Sequence, residues 1–111
     1  MAIQITHEGN TAVVAVNGRL DAVTGPEYQK TVRQLSESGI TRVVVDLQGL
    51  SYISSAGLGE LLVTSKLLQE NGGQFCVVNV HGNVQSVFQI CGIGKVIQVR
   101  DTVADALMAF A

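Results

Sequence analysis

Ser54 and Ser55 place two neighbouring hydroxyls inside the stretch Leu50-Ser51-Tyr52-Ile53-Ser54-Ser55-Ala56-Gly57-Leu58-Gly59, with Asp46 shortly upstream and Asp21 further back. A serine can act as an acyl-transfer nucleophile, line a phosphate cradle, cap a helix or accept a phosphoryl group, and each use demands different neighbours. A nucleophile elbow around Ser55 needs glycine at position 53, where this chain has Ile53, and no aspartate lies between Ser55 and His81 to orient that histidine. Gly57-Leu58-Gly59 starts like a dinucleotide fingerprint, but Leu62 holds the third glycine position and Lys66 stands too far on for a Walker-type loop. The glycines alone are poor grounds for nucleotide hydrolysis. No catalytic residue and no cofactor is assigned, and the chain is expected not to be an enzyme.

The remaining reactive side chains have ordinary readings. His7 falls in an edge strand and His81 at a strand-to-helix turn, and for both an exposed or locally hydrogen-bonded imidazole is expected. Cys76 and Cys91 each lie in an apolar stretch without a second ligand pair, so they read as two buried, reduced thiols and no metal site is expected. The 111 residues carry 7 basic and 9 acidic side chains, a formal charge of -2, without a Lys/Arg stripe that could track nucleic-acid phosphates. The mean hydropathy of +0.34 is high, yet no apolar run reaches the roughly 18 residues of a membrane span. Met1 to Asn10 lacks the charged and apolar regions of an export signal. No direct nucleic-acid partner, no membrane insertion and a cytoplasmic location are therefore expected.

The elements that must position the serines follow from periodicity. Ile3 to Glu8 and Thr11 to Asn17 are β-branched runs joined by Gly9-Asn10, the signature of a tight hairpin. Thr24, Pro26 and Glu27 form a capping-box pattern ahead of a helix that buries Tyr28, Val32 and Leu35 and stops near Gly39. Arg42 to Leu47 reads as a central strand buried on both faces. After the serine stretch, Leu58, Leu61, Leu62, Ser65 and Leu68 mark the buried face of a helix ended by Asn71-Gly72-Gly73. Gln74 to Val80 reads as another strand, and Val84, Val87, Phe88 and Cys91 mark a helix closing at Gly92-Ile93-Gly94. Lys95 to Arg100 is a last strand, followed by a helix capped by Asp101 or Thr102, with Val103, Ala106, Leu107 and Phe110 facing inward. The expected fold is α/β, a mixed and mostly parallel sheet flanked by helices in the order ββαβαβαβα, within one domain spanning residues 1–111.

At the start of the central helix, one serine can cap the free amides. Capping does not account for Gly57 and Gly59, which cost roughly 1 kcal/mol each relative to alanine inside a helix. Their absent side chains would let a partner's backbone or a phosphate approach the hydroxyls. A phosphoryl group here would meet helix amides and add about -1.5 to -2 charge, roughly doubling the net charge of the chain. Asp21 and Asp46 are placed at the same end of the sheet as the serines. Asp46 reads as a turn residue bonding backbone ahead of Gly49. Asp21, which has no evident local amide to serve, reads as a solvated loop carboxylate or as part of a recognition surface.

Val43-Val44-Val45-Asp46-Leu47, the motif Ser51-Tyr52-Ile53-Ser54-Ser55-Ala56-Gly57-Leu58 and the upstream Gly18-Arg19-Leu20-Asp21 together resemble the STAS domain of bacterial anti-sigma factor antagonists, over essentially the whole chain. The resemblance implies a partner-switching regulator. Unphosphorylated, such a protein binds an anti-sigma factor that is also an ATP-dependent serine kinase; phosphorylation releases that partner, and a PP2C-type phosphatase restores binding. It also places the phosphoacceptor on Ser55, with Ser54 as the second candidate, and makes Asp21, Ser54, Ser55, Ala56, Gly57, Leu58 and Gly59 the partner-binding set. Ser54 stands where the family usually has aspartate, and Ala56 where serine or threonine often precedes the glycine. The alternative implied by the same fold is a non-switching STAS subunit of a lipid or anion transporter complex. Either role is compatible with a homodimer.

Overall fold

Two β-branched runs pair because Gly9, at φ +61°, closes a two-residue turn between them. In the computed structural model, which describes residues 1–110, they form β1 (Ala2–Glu8) and β2 (Thr11–Leu20) in unbroken antiparallel register from Ala2 opposite Asn17 to Glu8 opposite Thr11. The strand β2 runs three residues past its expected end. Its register shifts between Gly18 and Arg19, and the extension pairs in parallel with β4 (Leu50–Ile53).

That short strand is absent from the expected order, so the sequence of elements is ββαββαβαβα. The physical reason lies in its length and exposure: it has four residues, of which Ser51 and Tyr52 are exposed, and it exists because the tail of β2 offers it a ladder. The sheet proper runs β1-β2-β3-β5-β6, with β3 (Arg42–Asp46) central between β2 and β5 (Gln74–Val78). Parallel pairing joins β2, β3, β5 and β6 (Gln98–Arg100), as expected of strands linked through helices. The last strand is shorter than expected because Ile93–Lys95 winds into a 3₁₀ turn after Gly92 adopts φ +66°.

Helices cover both faces unequally. Side chains from α1 (Gly25–Glu37), α2 (Ser55–Glu70) and α3 (Gly82–Cys91) share one large core with Ala12, Val14, Val16, Val43, Val45 and Val77. On the opposite face, α4 (Val103–Phe110) sets Ala106 and Phe110 against Val13, Val44, Cys76 and Val78. Alternation along β3 thus sends Val43 and Val45 one way and Val44 the other, and all three are fully buried. The expected inward faces recur: Tyr28, Val32 and Leu35 in α1, Val84 and Phe88 in α3, Ala106 and Phe110 in α4.

Three expectations are corrected. Leu62 is partly exposed, and Thr64 takes the buried place instead, because its hydroxyl donates to the Glu60 carbonyl and so accepts the Tyr28 phenol at 2.8 Å. Cys91 is exposed at the end of α3, whereas Cys76 is buried. The capping box at Thr24 does not form; its hydroxyl donates instead to the Arg19 carbonyl at 2.9 Å.

Candidate functional site

The junction between β4 and α2 is fastened to β2 through the backbone. Ile53 lies opposite Leu20, and the Ser54 amide donates to the Leu20 carbonyl at 3.0 Å. Ser54 then adopts an extended conformation, φ -92° and ψ 173°, and its hydroxyl accepts the Gly57 amide at 3.1 Å, which is N-capping geometry. Ser55 is the first residue of the helix and is exposed. One hydroxyl is used by the fold and the other faces outward. The helical pattern leaves the amides of Ser55 and Ala56 without intrahelical partners, and no acidic residue occupies the first turn.

The two glycines have different causes. A side-chain carbon at Gly57 would run into the Leu20 carbonyl oxygen and come within 2.9 Å of Ile53 Cγ1, so Gly57 is glycine to let α2 press onto β2. Leu58, 6% exposed, points into the large core. Gly57 and Leu58 therefore support the site from beneath. Gly59 is different: nothing lies within 4 Å of where its side chain would begin, and Ala56 beside it is exposed. Only Gly59 keeps the open approach expected of both glycines.

Asp21 sits one residue beyond the Leu20 carbonyl that holds Ser54, so the sheet does bring the two together. It serves local amides after all. Its Oδ1 accepts from Val23 N at 3.0 Å and Thr24 N at 3.1 Å and lies 3.2 Å from the Thr24 hydroxyl oxygen, while Oδ2 faces Arg19 Nε at 3.6 Å. The Thr24 amide above all holds its carboxyl below the ordinary range; desolvation opposes it, and the Val23 amide, the Thr24 hydroxyl and Arg19 add to the lowering. The result is a fixed turn, Asp21 to Thr24, that projects Val23 into solvent at 86% exposure.

Asp46 lies elsewhere. Its partner on β2 is Ala15, five residues before Leu20, a separation of roughly 17 Å at strand rise. It accepts from Gln48 N at 3.0 Å, as expected of a turn residue, and also from Asn79 Nδ2 at 2.9 Å. Nearby, the exposed His81 ring meets the Gln48 carbonyl at 2.8 Å. These contacts tie β3 to the end of β5 and do not reach the serines. Among the described residues no cluster of three His, Cys, Asp or Glu side chains could hold a metal.

Sequence reasoning missed the apolar surround. Arg19 lies over the Tyr52 ring at 4.2 Å, an arrangement made possible by the β2–β4 register that sets the two residues opposite each other. Down α2, Gly59, Leu62 and Lys66 follow Ser55 at helical spacing on one line, and Val63 continues a second line from Ala56. Leu62 and Val63 are 37% and 43% exposed. The available signal was an aliphatic pair beside the core stripe of the helix, wider than the core needs.

Comparison with known proteins gives a consistent picture. The family model described as the STAS domain matches residues 2–106. The anti-sigma-B factor antagonist of Staphylococcus epidermidis is 31% identical over 97 residues, covering 87% of this chain and 89% of that protein. The protein of the same name from Staphylococcus aureus strain NCTC 8325 is 28% identical over 99 residues, covering 89% and 92%. Among solved structures, an anti-sigma factor antagonist from Mycobacterium paratuberculosis superposes with a TM-score of 0.87 at 26% identity, covering 98% of this chain and 92% of that one. The Bacillus cell fate determinant SpoIIAA in its phosphorylated form gives 0.75 at 21% identity, covering 99% and 100%. The murine anion transporter Slc26a9 contains the same fold, with a TM-score of 0.75 at 18% identity, covering 93% of this chain and 18% of the transporter.

Proposed function

Because this chain belongs to the STAS domain family, matched over residues 2–106, we propose that it is an anti-sigma factor antagonist switched by phosphorylation of Ser55. The observation that carries the reading is the division of labour between the serines. Ser54 spends its hydroxyl on the Gly57 amide, while Ser55 presents its own at the exposed N-terminus of α2. In the unphosphorylated form, Ser55, Ala56 and Gly59, with Val23, Leu62 and Val63 around them, make a small-residue, partly apolar surface for an anti-sigma factor.

That partner doubles as an ATP-dependent serine kinase. The Ser55 oxygen bonds to the γ-phosphorus of ATP as the bond to ADP breaks, and the serine proton passes to a base on the kinase or to water. A PP2C-type phosphatase reverses the state by hydrolysis, returning the hydroxyl and inorganic phosphate. On Ser55 the phosphoryl group meets the amides of Ser55 and Ala56 and the positive end of the helix, so the fold is kept. The added charge falls on a surface that had none in its first helical turn. Binding is lost by repulsion and desolvation rather than by unfolding.

The test begins with the mass and phosphopeptide map of the chain isolated from its own cells, where an increase of about 80 Da on the Ser55 peptide is expected. Ser55→Ala is expected to keep the anti-sigma partner under all conditions and Ser55→Asp to lose it. Absence of phosphate through growth, starvation and stress, with Ser55→Asp binding unchanged, would overturn the switch. The transporter-subunit reading has support at the level of fold only. Among the described residues no helix is long and apolar enough to cross a membrane. A complex with a membrane protein that survives Ser54→Ala and Ser55→Ala together would favour it.

A further inference from the structure

The two edges of the sheet are treated differently by this sequence. β6 is only three residues long and carries Arg100 at its end, which limits it as a template for another strand. β1 has seven residues, contains neither proline nor lysine, and pairs with β2 without a bulge. Its one acidic residue, Glu8, stands at the turn. A long, regular edge without these protective features is a pairing surface.

Register fixes what that edge offers. A two-residue hairpin closes on a hydrogen-bonded pair, here Glu8 with Thr11, so Glu8, Thr6, Gln4 and Ala2 direct their backbone groups toward β2. Ile3, Ile5 and His7 therefore turn their N–H and C=O groups outward along the free edge. Their side chains share the face of Val16, Val14 and Ala12, the residues opposite them. Ile3 is partly buried against the core, while Ile5 at the middle of the strand remains 40% exposed.

We propose that β1 pairs antiparallel with β1 of a second copy about a two-fold axis at Ile5. The strand is complementary to itself in this register. Ile5 of one copy faces Ile5 of the other, Ile3 faces His7, Gln4 faces Thr6 and Ala2 faces Glu8, so no like charges oppose each other. Every outward amide and carbonyl of Ile3, Ile5 and His7 gains a partner, and the exposed Ile5 side chains cover one another. The sheet becomes continuous through both copies, and the short β6 edges at its ends discourage further growth. None of residues 50–62 takes part. A homodimer of this kind stands independently of whether Ser55 is a phosphoacceptor.

Sedimentation across a concentration series is expected to show the apparent mass rising toward twice that of the monomer. In the concentrated sample, amide exchange at Ile3, Ile5 and His7 is expected to slow, whereas Gln4, Thr6 and Glu8 are protected at every concentration. Ile5→Pro removes an outward amide that the hairpin does not use, and is expected to leave the circular dichroism spectrum unchanged while abolishing the dimer. Gln4→Cys together with Thr6→Cys in a Cys91→Ser background is expected to oxidise to a linked dimer, since Gln4 faces Thr6 of the other copy in a non-hydrogen-bonded pair, whose Cα atoms lie about 4.5 Å apart with the side chains close enough for a disulfide. A chain that stays monomeric throughout would overturn the proposal. A dimer whose Ile3, Ile5 and His7 amides exchange as fast as in the monomer, or in which the paired Gln4→Cys and Thr6→Cys substitutions fail to link, would overturn it equally.

Discussion

Ser54 and Ser55 are neighbours in the chain but not in function, because only one of them can occupy the N-cap. Removing the cap hydroxyl leaves the Gly57 amide to find water or go unpaired. Ser54→Ala is therefore expected to lower unfolding free energy by about 1 kcal/mol, and Ser55→Ala to change it by less than about 0.5 kcal/mol, measured by urea denaturation. An equal loss for both would mean that the hydroxyls exchange roles in solution. The same logic separates Asp21 from a free recognition carboxylate: it accepts amides of Val23 and Thr24, and its contribution to a surface is the shape of the turn that it holds.

At the scale of elements, the site depends on how closely α2 approaches β2. Gly57 sits under the Leu20 carbonyl, and Ser54 donates to that same oxygen, so one backbone group organises the entry into the helix. Gly57→Ala forces a methyl group into that contact. It is expected to destabilise the fold by about 1–3 kcal/mol despite alanine's better helix propensity, whereas Gly59→Ala, in open space, is expected to stabilise it by up to about 1 kcal/mol. Paired thermal melts of the two variants decide this, and stabilisation by Gly57→Ala would refute the close approach. At this scale the sequence is read least well. β4 alternates weakly and is half exposed, and nothing local in Leu50–Ile53 announces a strand until the extended tail of β2 supplies its ladder.

The molecule as a whole has a large core beneath three helices and a smaller one beneath α4 alone. Cys76 belongs to the smaller core, and burial pushes its thiol up to about 11, so at neutral pH it has almost no thiolate and no access to reagents. Cys91 is exposed. A thiol reagent is therefore expected to modify Cys91 at once and Cys76 only when α4 lifts away. Phe110→Ala, which empties a contact of a residue 3% exposed, is expected to cost about 3 kcal/mol and to accelerate Cys76 modification by at least tenfold while leaving Cys91 unchanged. An unaltered Cys76 rate would mean that the smaller core opens only with the whole fold.

The sequence by itself determined whatever rests on local periodicity and turn chemistry. Alternation, the Gly9-Asn10 turn, the apolar run Val43 to Val45 and the helical spacing of Tyr28, Val32 and Leu35 each draw on neighbours a few residues away. The motif around Ser55 was legible for the same reason, as a helix start rich in small residues. Tertiary structure decided what depends on contacts distant along the chain. It assigned the cap to Ser54, turned Asp21 toward Val23 and Thr24, and drew β4 onto β2. It also separated Gly57, pressed against Leu20, from Gly59 in open space, although the two residues are identical and lie in the same helix. Residue type sets what a group can do, but only the packing of α2 on β2 determines which groups are already engaged.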